Sequence, residues 1–167
     1  MRFKYCPKCG NKLIEKELGD EGLVPFCTNC NEPFFDIFST CTIALVCNEY
    51  NEVALLKQSY ISDTYYNLVS GYMKPNETAE YTCTREIEEE IGIKIDSLKL
   101  VKTIWFNKKG ILMIGFIARC KKTQFTLSKE VDEAIWVPIE KAINMVHPKG
   151  SSSYELCDIL LNNLKNY

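Results

Sequence analysis

The chain has 167 residues, 46% hydrophobic and 25% charged, with a formal net charge of −2, which describes a small folded protein of at most two compact units and excludes a disordered or fibrous one. Its longest apolar run, residues 111–118 with Gly115 counted, is far short of the roughly 20 residues that cross a bilayer, and its first residues lack the apolar core of a signal peptide, so a cytoplasmic protein without membrane association is expected. The 20 basic and 22 acidic residues are intermixed, which excludes a broad field drawing the chain to nucleic acid or an anionic membrane.

In chain order, the cysteines come first. Four of the nine form two pairs, Cys6-Pro-Lys-Cys9 and Cys27-Thr-Asn-Cys30, with 17 residues between the pairs. Each Cys-x-x-Cys turn presents two thiolates to one side of a metal. Two such turns complete a tetrahedral four-sulfur shell, so the spacing predicts a small zinc ribbon with one structural Zn. A pair of disulfides would need an oxidising compartment, and a redox Cys-x-x-Cys needs only one pair. A unit of about 36 residues is too small to be held by apolar burial, so the metal is expected to supply most of its folding energy. Lys8, Lys12 and Lys16 are offset by Glu15, Glu17, Asp20 and Glu21, so the ribbon reads as a scaffold rather than a nucleic-acid clamp. Cys41, Cys47, Cys83, Cys120 and Cys157 stand singly, mostly beside apolar neighbours, and read as buried thiols. His147, the one histidine, precedes Pro148-Lys149-Gly150 in a loop and has no catalytic partner in sight.

The ribbon is assigned to residues 1–36 and a second domain to residues 37–167. Between them, the aromatic and Pro-broken stretch 31–38 suits a short connection packed against the second domain. A β-hairpin is expected over Thr40–Cys47 and Val53–Leu56, joined by the turn signal Asn48-Glu-Tyr-Asn51-Glu. Further strands are expected at Tyr66–Val69, Leu98–Trp105, Ile111–Ala118 and Ala134–Val137, with the turn Asn107-Lys-Lys-Gly110 between the middle two. Helices are expected at Ala79–Ile91, Ile139–Val146 and Tyr154–Leu164. Mixed strands and helices with hairpins argue for an α/β fold, a mixed sheet carrying helices on its faces.

The helix at residues 79–91 carries negative charge at the wrong end. Glu88, Glu89 and Glu90 fall in its last turn, where free carbonyls already make the potential negative, and Glu86 with Glu90 is a like-charge pair at i, i+4. At about 100° per residue, Glu86, Glu89 and Glu90 lie within an arc of roughly 100° and can converge on one point, an arrangement suited to a hard divalent cation such as Mg²⁺ and the phosphates it accompanies. Arg85 can pair with Glu89 one turn on. Cys83, Ile87 and Ile91 form the stripe that anchors the helix, and Gly92 stops it.

The stretch from Gly71 through Glu77, Arg85, Glu86, Ile87, Glu89, Glu90 and Gly92 to Ile93 fits the pattern G-x5-E-x7-R-E-U-x-E-E-x-G-U, in which U is a bulky aliphatic residue, at all nine defined positions over 23 residues. This resembles the signature of the Nudix hydrolases. The resemblance implies an α/β/α sandwich and the Mg²⁺- or Mn²⁺-dependent hydrolysis of nucleoside diphosphates linked to another group. It implies that Glu86, Glu89 and Glu90 are the metal-binding carboxylates, that the Ser70 carbonyl is a backbone ligand, and that Glu77 and Arg85 orient the helix. Either Glu89 or Glu90 would take the proton of the attacking water.

A four-cysteine ribbon placed before such a domain is similar to the NADH pyrophosphatase subfamily, whose members cleave NAD(H) to a nicotinamide mononucleotide and AMP and can remove an NAD cap from RNA. The likeness implies a homodimer. It places at Phe35 an aromatic that helps sandwich a substrate base, with packing between domains as the other reading. It also implies that Glu130 is a further metal ligand, with Asp132 and Glu133 as alternatives. The subfamily's S-Q-P-W-P-F-P-x-S stretch is replaced here by residues 103–111, in which Trp105 and Phe106 remain as a stacking platform or as core. The expected substrate is therefore NAD(H), with ADP-ribose, another dinucleotide or a nucleoside triphosphate as alternatives under the same chemistry. A nucleotide- or RNA-end-binding adaptor with little turnover is the reading outside enzymes.

Overall fold

A computed structural model describes residues 2–165, and the chain divides into two compact units, residues 1–38 and 39–167. The first is a three-stranded antiparallel sheet of β1 (Ile14–Glu17), β2 (Leu23–Cys27) and β3 (Glu32–Pro33), in that order. None of these short strands carries a periodicity long enough to be read in the sequence. Cys6, Val24, Pro25, Phe26 and Cys27 are its buried residues among those described, a small core for a separate unit.

The second unit is built on β4 (Ser39–Cys47), which runs parallel to β8 (Ile111–Arg119) along its whole length. Their neighbours are β5 (Glu52–Lys57), β6 (Val69–Tyr72), β7 (Ser97–Phe106) and β9 (Glu133–Pro138). The strand order is β7-β8-β4-β5-β9, and β6 pairs with the first half of β4. The hairpin between β4 and β5 is organised by Asn48, whose side-chain oxygen accepts from the backbone N–H of Tyr50 at 2.9 Å and of Glu52 at 3.1 Å.

Successive residues of β4 go to opposite faces, and both faces are covered. Ala44 and Val46 join Cys83, Ile87 and Ile91 of α1 (Ala79–Ile91) in one apolar core. Ile43, Leu45 and Cys47 join α2 (Ile139–Ala142) and α3 (Ser152–Lys165) in the other, through Ile139, Ala142, Leu156 and Leu160. The result is an α/β/α sandwich, as the resemblance implied.

The differences from expectation are local. The ladder with β4 takes Val69–Tyr72 rather than Tyr66–Val69: Asn67 makes a single bridge to Leu56, and Ser70-Gly71 carries no apolar signal yet pairs with Ile43 and Thr42. The helix expected over residues 139–146 ends at Ala142 and continues as hydrogen-bonded turns. No helix among the described residues is long and apolar enough to cross a membrane.

Candidate active site and cysteine cluster

Helix α1 is defined at both ends. Thr78 caps its start, its side-chain oxygen accepting from the Tyr81 N–H at 3.2 Å. Gly92 adopts the left-handed conformation at its end, and its N–H donates to Glu88 at 3.0 Å. With Cys83, Ile87 and Ile91 fixed against the sheet, Glu86, Glu89 and Glu90 fall along one border of the helix. They line a cleft of about 220 Å³ together with Ser128, Lys129 and Glu130.

The downstream loop is tied to the helix end. The N–H of Ser128 donates to the Glu90 carbonyl at 3.0 Å, that of Thr126 to the Ile91 carbonyl at 3.0 Å, and the Ser128 hydroxyl accepts from the Glu130 N–H at 3.2 Å. Glu130 thereby reaches the cleft. Asp132 instead accepts from the Ser59 N–H at 2.7 Å, and Glu133 from the Tyr66 hydroxyl at 3.3 Å.

Arg85 organises the carboxylates. Its Nε and Nη2 donate to the two oxygens of Glu77, each at 3.0 Å, while Nη1 donates to Glu86 at 2.7 Å and to Glu89 at 2.9 Å. Glu77 also accepts from the Thr82 hydroxyl at 2.7 Å and the Lys74 N–H at 3.1 Å. The Arg85 guanidinium, followed by the Thr82 hydroxyl, holds the Glu77 carboxyl down at about 2, and Glu77 in turn raises Arg85 above its ordinary value.

Glu90 is the opposite case. Burial, then the charges of Glu86 and Glu130, push its carboxyl up to about 8 against the smaller pull of the Gln58 amide and the Ser70 N–H. Its Oε2 is buried without a hydrogen-bond partner. A buried, partnerless carboxylate oxygen facing two further carboxylates is an oxygen-only donor set that fits a hard divalent cation, which would offset the repulsion. Glu86, Glu89, Glu90 and Glu130 are the side chains that could hold it, with the Ser70 backbone beside Glu90.

The aromatic residues read as substrate contacts are not among the residues lining the cleft. Trp105 is paired with Leu112 and Phe106 with Ile111, so alternation sends Trp105 to the face that carries α1 and Phe106 to the opposite face. Phe35, 51% exposed, belongs to the first unit. Gln58 and Ser128 went unread in the sequence. The first lies at the end of a strand with no motif around it, and the second enters only because the chain returns to the helix end.

In the first unit, the sulfurs of Cys6, Cys9, Cys27 and Cys30 all lie within 4.8 Å of one another. The Cys6–Cys30 and Cys9–Cys27 separations are 3.8 and 3.5 Å, too long for disulfides and close to the edge of roughly 3.8 Å in a tetrahedron of 2.3 Å metal–sulfur bonds. The Asn11 backbone N–H, the largest influence on Cys9, helps draw that thiol down to about 6, while the neighbouring sulfurs, Cys9 foremost, push Cys30 up to about 12; a cation among the four would be needed to hold them all as thiolates. Among the described residues no other group of three or more His, Cys, Asp or Glu side chains converges as closely.

Comparison with known proteins matches residues 38–157 to the NUDIX domain. Among curated proteins, the chain is 24% identical over 162 residues to the NAD-capped RNA hydrolase NudC of Photobacterium profundum, covering 96% of this chain and 59% of that protein. It is 31% identical over 146 residues to the NAD-capped RNA hydrolase NPY1 of Saccharomyces cerevisiae, covering 78% of this chain and 36% of that one. The chain thus spans between about a third and three fifths of the length of these relatives. Among solved structures, a NUDIX hydrolase from Nitrosomonas europaea is similar with a TM-score of 0.69 at 19% identity, over 98% of this chain and 92% of that one. A C. elegans Ap4A hydrolase gives 0.64 at 19% identity, over 77% and 99%. At these identities the structural likeness is one of fold.

Proposed function

The chain belongs to the NUDIX family, matched over residues 38–157, and we propose that it is a Mg²⁺- or Mn²⁺-dependent pyrophosphohydrolase cleaving NAD(H) to a nicotinamide mononucleotide and AMP. The observation that carries this reading is the convergence of Glu86, Glu89, Glu90 and Glu130 on one cleft, with Arg85 bonded to three of the motif's carboxylates. When bound, the divalent cation supplies charge neutralisation for a diphosphate and lowers the pKa of a coordinated water. Glu86, Glu89, Glu90 and Glu130 would hold it, and Arg85, bonded to Glu86 and Glu89, orients those two carboxylates. The proton of the attacking water falls to Glu89, whose side chain is 56% exposed at the rim, or to Glu90, which is buried beneath it.

The preference for NAD(H) rests on the NAD-capped RNA hydrolases among the relatives and on the four-cysteine ribbon, to which we assign one structural zinc. An NAD-capped RNA end is a second substrate of the same chemistry, and a homodimer belongs to the same reading. Nine cysteines without a disulfide suit a reducing compartment, the cytoplasm. Because residues 103–111 form a β7–β8 hairpin where the subfamily has its Pro-rich stretch, the alternative substrate under the same chemistry is ADP-ribose, another dinucleotide or a nucleoside triphosphate.

The test is product release with Mg²⁺ or Mn²⁺ across NADH, NAD⁺, ADP-ribose, diadenosine compounds, nucleoside triphosphates and an NAD-capped RNA, beside Glu89→Gln and Glu90→Gln. Preferential NADH cleavage, lost in the variants, supports the proposal. Preference for another diphosphate keeps the chemistry and replaces the substrate, and absence of turnover on all of them favours a binding adaptor.

A further inference from the structure

The loop that completes the carboxylate cleft carries a cation as well as Glu130. The N–H of Val131 donates to the Ser128 carbonyl at 3.4 Å and that of Glu130 to the Ser128 hydroxyl at 3.2 Å, which closes a turn with Lys129 and Glu130 at its corner. The turn is pinned on both sides. The Ser128 N–H donates to the Glu90 carbonyl at 3.0 Å, and Val131, 5% exposed, is set in the core under α1. One residue further, the Asp132 N–H donates to the Lys57 carbonyl at 2.9 Å. The backbone of Lys129 is thereby fixed beside the carboxylates while its side chain remains exposed. Of the six residues that line the cleft, Lys129 is the one cation.

A lysine kept in this cleft only to offset its carboxylates would pair with one of them. Lys8, Lys102 and Lys122 each pair with a glutamate at 2.6 Å elsewhere in the chain. Lys129 shares its cleft with Glu86, Glu89, Glu90 and Glu130, yet makes no ion pair among the described residues. The other cation nearby is already committed. Arg85 gives Nε and Nη2 to Glu77 and Nη1 to Glu86 and Glu89, and Nη2 also reaches the Tyr72 carbonyl at 3.4 Å. Four ionised carboxylates carry twice the charge that a single divalent cation offsets, so further positive charge is needed for the cleft to accept an anionic diphosphate. Lys129 is the group placed to supply it. Its ammonium is a compact point charge with three donors on a flexible stem, a form suited to following a phosphate oxygen.

We propose that Lys129 binds the substrate's diphosphate, its ammonium donating to a non-bridging oxygen above the carboxylates. This rests on the reading of the cleft as a cation-dependent pyrophosphohydrolase site. The test sets Lys129→Met and Lys129→Arg beside Lys149→Met, which removes the same charge from a residue that does not line the cleft. Four quantities are measured: Mn²⁺ binding without substrate, binding of inorganic pyrophosphate in the presence of Mn²⁺, thermal melting, and kcat and KM on the preferred diphosphate substrate.

For Lys129→Met, pyrophosphate affinity is expected to fall and KM to rise by about 10-fold, the scale of one charge-assisted hydrogen bond. Turnover at saturation should change much less, because the contact is made in the ground state and the transition state alike. Mn²⁺ affinity should hold or rise, since a positive charge leaves the neighbourhood of the carboxylates. The melting temperature should stay near that of the wild type, as befits an exposed side chain. Lys129→Arg should keep most of the pyrophosphate affinity and Lys149→Met all of it. Should Lys129→Met fail to fold, Lys129→Gln carries the same expectation. Wild-type pyrophosphate affinity and KM in Lys129→Met, or losses no larger than those of Lys149→Met, would overturn the assignment and leave Lys129 a solvated surface charge. Wild-type protein that neither binds Mn²⁺ nor turns over any substrate would overturn the underlying reading, and this assignment with it.

Discussion

Gly71 and Glu86 are in such close approach that a methyl group placed on Gly71 would lie 2.0 Å from Glu86 Cδ. The strand β6 passes directly beneath the carboxylate, and only a residue without a side chain permits it. What a side chain at 71 would strike is the side chain of Glu86 rather than backbone, and that side chain would yield by giving up its bond to Arg85. Gly71→Ala is therefore expected to melt near the wild-type temperature while losing turnover by roughly 100-fold, the usual scale for misplacing a reacting constellation by about 1 Å. A variant that folds and keeps its kcat would show that Glu86 need not stand where it does.

Gly92 provides the contrast. It has φ of 68°, and an added methyl would lie 2.7 Å from Thr126 Cβ. Gly92→Ala is expected to lower the melting temperature by several degrees through the strained cap and the displaced loop that carries Ser128 and Glu130.

Glu90 sets a pH dependence in cation-free protein. Its carboxyl is raised from an ordinary 4.5 to about 8, so the folded state holds the proton more tightly than the unfolded one. The penalty is absent below pH 4.5, grows as pH rises through that interval and is complete above about 8. At its full extent it is on the order of 5 kcal/mol. Melting curves without divalent cation should show wild-type protein falling progressively below Glu90→Gln over that range, and Mg²⁺ should restore it. Parallel pH profiles for the two proteins would count against the repulsion.

The Glu77–Arg85 pair acts at the other end of the scale. With Glu77 held at about 2 against an ordinary 4.5, its stabilising contribution is present above pH 4.5 and is lost as pH falls through about 2. Arg85→Lys cannot reproduce the bidentate pair with Glu77 and the bonds to Glu86 and Glu89 together. It should therefore reduce turnover by at least 10-fold at neutral pH, on the scale of losing a charge-assisted hydrogen bond, and remove the acid-side step in the melting profile.

Metal content tests the ribbon separately. Freshly purified, reduced protein should carry one zinc per chain, and removing it with a chelator and a thiol reagent should unfold residues 1–38 first. Retention of the Mg²⁺-dependent melting transition after zinc loss would mark the second unit as independent; protein free of zinc yet unaltered in its first unit would remove the metal from the reading.

What could be read in the sequence was whatever depends on neighbours along the chain. The period of an α-helix places Glu86, Glu89 and Glu90 on one border and Cys83, Ile87 and Ile91 on the next, and it sets Arg85 within reach of Glu89. Likewise, a Cys-x-x-Cys turn gathers its own two sulfurs. The strands of the second unit announced themselves as apolar runs bounded by turn signals, except β6, whose Ser70-Gly71 carries no apolar signal and pairs because β4 offers a free edge there.

The tertiary structure decided the rest, because it concerns residues far apart in sequence whose meeting depends on register and on where the chain returns. The loop that ends at Glu130 is drawn to the cleft by hydrogen bonds to the end of α1, while Asp132 and Glu133 are engaged elsewhere. Trp105 and Phe106, adjacent in sequence, are sent to opposite faces by the pairing of β7 with β8. Spacing along a chain determines which side chains can share a face; which faces meet is determined by burial of the apolar surface between them.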